Sequence, residues 1–167
     1  MLFKAKRNFN LEFHKLSCKS YTPIMKQGSC DYKKLAIGRY AFNAMLELQS
    51  PLDPAAMIFI AIDYRMPPAI TSQSFFKLKT KLCDLLKGIR TVPIVKNVIK
   101  DVLKNSNFPT SCPICANVMY YMSNMVVTSE ILPEFVPSAG FNLSLNFFNK
   151  EALIIDWKLE GSIVKKT

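Results

Sequence analysis

Histidine is nearly absent from the 167-residue chain, where His14 stands alone. Metal sites and acid–base centres built on clustered histidines have no footing in it. Arginine is scarce too: Arg7, Arg39, Arg65 and Arg90 are the four, and the rest of the 22 basic residues are lysine. Nucleic-acid readers lean on arginine for bidentate contacts to bases and phosphates, so no nucleic-acid partner is expected. No stretch comes near 18 consecutive apolar residues, which argues against a transmembrane helix. The opening MLFKAKRNF holds no apolar run of signal-peptide type, so no secretory signal is visible there. P-loops, G-x-G-x-x-G and G-x-S-x-G are all missing, and the twelve carboxylates form no diagnostic pair. The chain is read as a non-enzyme without cofactor or metal.

What is present describes a folded globular chain. Half the residues are hydrophobic, there are 12 Phe, and a fifth are charged. The length suits a single domain over residues 1–167, large enough to bury a core. The formal net charge of +10 makes the surface basic. An anionic membrane surface or an acidic receptor is the partner class such a surface admits.

Most of the chain alternates with period two, the mark of half-buried strands. In YAFNAMLELQ (40–49), Tyr40, Phe42, Ala44, Leu46 and Leu48 share a face. AMIFIAIDYR (56–65) follows after SPLDP, with Ile58, Ile60 and Ile62 aligned, and the two segments read as a hairpin. In FFKLKTKLC (75–83), Phe76, Leu78 and Leu82 oppose Lys77, Lys79 and Lys81. GFNLSLNFF (140–148) aligns Phe141, Leu143, Leu145 and Phe147, and ALIIDWKLE (152–160) aligns Leu153, Ile155, Trp157 and Leu159. Asn149-Lys150 between them reads as a hairpin connection. NLEFHKLSC (10–18) is a weaker early strand, with His14 on its polar side, and VMYYMSNMVV (118–127) completes the set. RTVPIVKNVIKDVLKN (90–105) alone has helical spacing, with Val95, Val98, Ile99, Val102 and Leu103 on one side; Thr91 can cap it and Pro93 suits its first turn. Seven or eight strands with one polar face each imply an all-β antiparallel sandwich of two sheets, with one inserted amphipathic helix.

Five cysteines leave one unpaired. The CPIC run at 112–115 lacks the preceding strand and following helix of a redox site, and no second ligand pair supports zinc. Position suggests a bridge between Cys83 and Cys112 across the base of the helical excursion. Cys18 and Cys30 can close the loop between the first two strands, which leaves Cys115. Asn142-Leu143-Ser144 is an N-glycosylation sequon on an outward position.

KLSCKS, GSCDYKKL, KLCDLLKG, SNFPTSCPI and ILPEFVPSAGFNLSLNFF, in this order over roughly residues 9–160, resemble a large family of insect secreted proteins of mostly unknown function. That family includes the CheB chemosensory proteins. It is in turn similar to the ML lipid-recognition superfamily, which includes the sterol carrier of Niemann-Pick type C disease and the lysosomal ganglioside activator. The resemblance implies a single ML-like domain: an immunoglobulin-like sandwich whose sheets part to hold a lipid. It implies the bridges Cys18–Cys30 and Cys83–Cys112; Cys115 has no counterpart in the pattern. It also implies secretion and an extracellular, chemosensory or signalling setting.

By residue pattern alone the inward aromatics are plain core. With the resemblance, Phe42, Leu46, Ile60, Phe76, Leu78, Tyr120, Phe141, Leu143, Leu145, Phe147, Ile155 and Trp157 become the expected lining for a lipid or other hydrophobic small molecule. Met45, Met57, Met119, Met122 and Met125 would make that wall adaptable. The competing expectation is a secreted interaction or membrane-surface module with a filled core and no ligand.

Overall fold

A computed structural model describes residues 7–21, 23–88 and 93–166. Its strands are β1 (Phe9–Ser20), β2 (Met25–Ala36), β3 (Arg39–Leu48), β4 (Met57–Arg65), β5 (Gln73–Lys81), β6 (Met119–Thr128), β7 (Ala139–Asn149) and β8 (Ala152–Lys165). Two helices, α1 (Leu82–Leu86) and α2 (Pro93–Lys104), lie between β5 and β6, and a single 3-10 turn, Ser129–Ile131, follows β6. Five strands form one antiparallel sheet in the order β1-β8-β7-β4-β5, and three form the other in the order β2-β3-β6. The all-β sandwich expected from the alternation is the observed fold.

Alternation accounts for most strands. Phe76 and Leu78 turn inward from β5 while Lys77, Lys79 and Lys81 are exposed. In α2, Val95 is buried and Lys96, Lys100 and Lys104 are exposed, as the helical spacing requires. The expected cap Thr91 lies outside the described residues.

Four local expectations are corrected. The segments 40–49 and 56–65 do not form a hairpin: β3 pairs with β2 and β6, and β4 with β5 and β7. Residues 49–56 cross between the sheets, with Leu52 and Ala56 buried and the buried Asn149 side chain accepting from the Asp53 backbone N–H at 2.8 Å. β2 was not expected as a strand, because MKQGSCDYKKLA is mostly polar and exposed and so lacks the alternating signal. The strand ending in Cys83 stops at Lys81, and Leu82 and Cys83 open α1 instead. The β7–β8 connection is Lys150-Glu151, one residue later than read, with both residues at positive φ, 49° and 69°.

Two buried clusters lie between the sheets. One gathers Met25, Leu48, Ile58, Ile60, Leu82, Leu85, Val95, Ile114 and Ile155, with Ile94, Ile99 and Phe108 against it. The other gathers Phe9, Leu11, Tyr40, Phe42, Met125, Val127 and Ile163. Phe13 is the hub of the second, with ring centroids 4.9 Å from Tyr40, 5.1 Å from Phe42 and 6.1 Å from Phe141. Gly161 makes this packing possible, since a Cβ there would sit 2.6 Å from both the Phe141 ring and the Glu12 carbonyl oxygen.

Both bridges form, Cys18–Cys30 with Cα atoms 6.0 Å apart and Cys83–Cys112 at 5.6 Å. Cys18 is on β1 and Cys30 on β2, so the first bridge fastens the edge of one sheet to the edge of the other rather than closing a loop. The outer edge of β6 is covered by residues 105–107, whose Asn107 backbone N–H donates to the Tyr121 carbonyl at 3.2 Å. Among the described residues β5 pairs with β4 alone, which leaves its other edge open.

Candidate functional site

The inward face of the five-stranded sheet is built in rows that the strand registers fix. Leu78, Ile60, Leu145 and Trp157 lie side by side across β5, β4, β7 and β8. Phe76, Ile62, Leu143 and Leu159 form the next row, and Thr80, Ile58, Phe147 and Ile155 the one beyond. Leu46 of β3 and Tyr120 of β6, which are register partners, join this cluster from the facing sheet. Ten of the twelve expected lining residues therefore meet in one place. Phe42 and Phe141 do not; they belong to the second cluster, around Phe13.

The exposure of this face is uneven. Ile60, Tyr120 and Ile155 are buried. Leu46, Phe76, Leu78, Leu143, Leu145, Phe147 and Trp157 point into the same cluster yet stay only partly buried. Leu143, Leu145 and Phe147 belong to β7, the central strand, which is flanked on both sides. In a filled sandwich this face would be dry.

Two polar groups reach the apolar face. The Trp157 Nε1 atom is buried and has no hydrogen-bond partner among the described residues. Such an orphan donor is rare in a native interior and calls for an acceptor. The Tyr120 hydroxyl accepts from the Cys115 backbone N–H at 2.9 Å, and burial pushes its phenol above the ordinary value of 10.0. The Phe108 ring packs edge-on to Tyr120 at 5.2 Å. A cavity of about 10 Å³ lies at the Cys83–Cys112 end, lined by Leu52, Pro54, Ala56, Leu82 and Ile114 among others. It has room for a single water, and none of the twelve residues lines it.

The remaining candidates are placed as follows. His14 is exposed and hydrogen-bonds the Ser162 hydroxyl through Nε2. Among the described residues no three His, Cys, Asp or Glu side chains converge on a metal position. Cys115 is an exposed free thiol. Asn142 is exposed on the outer face of β7, in register with Asp63 and Glu160. Of the five methionines expected to soften the wall, Met125 is buried while Met119 is 39% exposed at the strand start. Met25, one of the most buried side chains, was missed with β2, as was Tyr32 against Phe42 and Phe13. Ile154 was missed because the β7–β8 register shifts between Phe147 and Phe148, which turns a second consecutive isoleucine inward.

No helix among the described residues is long and apolar enough to cross a membrane. Residues 58–143, just over half of the chain, match a family described as "Protein of unknown function (DUF1091)". The match runs from β4 through both helices and β6 into β7, and so includes the Cys83–Cys112 bridge. No curated protein matches the chain.

Proposed function

The chain belongs to this family of unknown function, DUF1091, and we propose that it is a secreted binder or carrier of a lipid or other hydrophobic small molecule, not a catalyst. The ligand lies between the sheets, against Leu78, Leu143, Leu145, Phe147 and Trp157. The observation that carries this reading is the partly exposed inward face of the central strand β7. Ligand sites are apolar surfaces with a few placed polar groups, and the buried Trp157 Nε1–H supplies one. It selects a ligand with an acceptor oxygen among its apolar parts, such as a hydroxyl, carbonyl or carboxylate. The ligand class and the chemosensory or extracellular setting come from the resemblance to the CheB-containing family and the ML superfamily. Two disulfides suit an oxidising, extracellular compartment.

The experiment is native mass spectrometry of protein purified from insect cells, with lipid extraction, followed by uptake of a fluorescent fatty acid or sterol. Wild-type protein takes up the probe. Trp157→Phe keeps the packing but removes the donor, and affinity falls about two- to tenfold, the worth of one hydrogen bond of about 0.5–1.5 kcal/mol. Phe147→Ala destabilises by less than the ~3–5 kcal/mol of a plain core position and weakens uptake. An empty mass spectrum, no uptake by the wild type and a full core-type loss for Phe147→Ala would overturn the reading. That outcome would favour an interaction module with a filled core, for which the two packed clusters speak.

A further inference from the structure

We infer that one end of the sandwich docks on an anionic lipid bilayer. The strand registers bring the start of β1, the end of β8, the start of β7, the end of β4 and the start of β5 to one end of the larger sheet, through the pairs Phe9 with Lys165, Ala139 with Ile163, Arg65 with Gly140 and Tyr64 with Gln73. The β2–β3 turn and the end of β6 lie at the same end of the smaller sheet, through Ala36 with Arg39 and Arg39 with Thr128. Contact between the sheets there is direct: the buried Gly38 of that turn lies against the Asn10 side chain of β1, and Phe9 packs with Tyr40 and Val127.

Three separate loops leave this end, and each carries an unburied apolar residue at its tip. Ile37 in the β2–β3 turn is 77% exposed, Ile70 between β4 and β5 is 88% exposed, and Phe135 between β6 and β7 is 93% exposed. These are the three most exposed large apolar side chains among the described residues. Met66 and Phe75 flank Ile70 and are exposed as well. One exposed apolar side chain is ordinary, but a gathering on adjoining loops marks an interaction face.

The charges around the tips choose the partner. Lys33, Lys34, Arg39, Arg65, Lys165 and Lys166 are exposed around this end and make no ion pair among the described residues. Of the two acids in the β6–β7 loop, Glu134 is held by Arg7 at 3.4 Å and Glu130 lies exposed in the turn directly after β6, leaving the cations in excess. Apolar tips inside a basic rim match the layering of an anionic bilayer, with headgroup phosphates outside and acyl chains beneath. The same rim opposes a second copy docking tip to tip, which would face cations with cations.

The test is sedimentation of the full chain with phosphatidylcholine vesicles, with and without phosphatidylserine. The wild type pellets with the anionic vesicles and far less with the neutral ones. The triple variant Ile37→Asp, Ile70→Asp, Phe135→Asp changes only exposed side chains, and a retained thermal midpoint verifies its fold. Its partitioning falls roughly tenfold or more. Lys33→Gln and Lys34→Gln each weaken binding roughly fivefold. A second variant, Ile70→Trp, keeps the tip apolar and is quenched by brominated lipid in the anionic vesicles. The inference is overturned if the wild type stays in the supernatant, if the triple variant pellets like the wild type, or if the tryptophan is not quenched. Concentration-dependent dimerisation in place of vesicle binding, abolished by the triple variant, would assign the face to a second copy instead.

Discussion

Tyr120 joins two parts of the molecule through one atom. Its hydroxyl caps the backbone of the CPIC run while its ring sits in the main cluster beside Phe108. Because burial raises its pKa above 10.0, the folded state holds this proton more tightly than the unfolded chain does. Its contribution to stability is therefore fully present below about pH 10 and is lost as pH rises through the folded value. Urea midpoints measured across the alkaline range will fall less steeply for Tyr120→Phe than for the wild type. At neutral pH the same variant leaves the Cys115 N–H without its acceptor and loses about 1 kcal/mol. Coincident alkaline limbs would mean that Tyr120 does not titrate in this way. The neighbouring cysteine also explains why C-P-x-C misleads when read as a motif. Cys112 is committed to Cys83 of α1, and Cys115 has no sulfur partner.

Among the elements, legibility followed side-chain contrast. β5, β7, β8 and α2 were readable because their buried and exposed faces differ in polarity. β2 was not, because it is an edge strand held to the sandwich by Met25, Tyr32 and the Cys30 bridge rather than by a continuous apolar face. The false hairpin between β3 and β4 has a related cause. Alternation reports which side chains point inward but not which sheet they point from, and both strands face the same core. The rows across β5, β4, β7 and β8 were likewise foreseen as a face but not as a register, so the separation of Phe42 and Phe141 from the other ten residues stayed hidden. The Lys150-Glu151 turn offers a test at this scale. Both residues occupy the left-handed region, which a two-residue type I′ hairpin demands and which Asn-Gly satisfies best. Lys150→Asn with Glu151→Gly will stabilise the protein by about 1 kcal/mol in urea unfolding, since relief of the left-handed strain outweighs the added freedom of glycine. A destabilised double variant would show that the two side chains do more than close the turn.

For the whole molecule, the two bridges act at different places. Cys83–Cys112 spans 29 residues around both helices, and Cys18–Cys30 spans 12 across the two sheets. In the chain-entropy account, removing the first by paired serine substitution costs roughly 3–4 kcal/mol and removing the second roughly 3 kcal/mol. Chemical denaturation of the two paired variants checks the order. A larger loss from Cys18→Ser with Cys30→Ser would show that fastening the sheets together matters beyond loop closure. The open edge of β5 bears on how many such molecules behave together. An exposed strand edge invites a second copy to add itself and start a growing ribbon. Here a second β5 lying alongside would set its lysines within roughly 5 Å of Lys77, Lys79 and Lys81. Like charges at that spacing repel, and the repulsion fades as salt shortens the screening length from about 8 Å under physiological conditions. At ordinary salt these lysines therefore oppose association through the β5 edge, and concentrated brine is the condition under which two copies would begin to pair edge to edge.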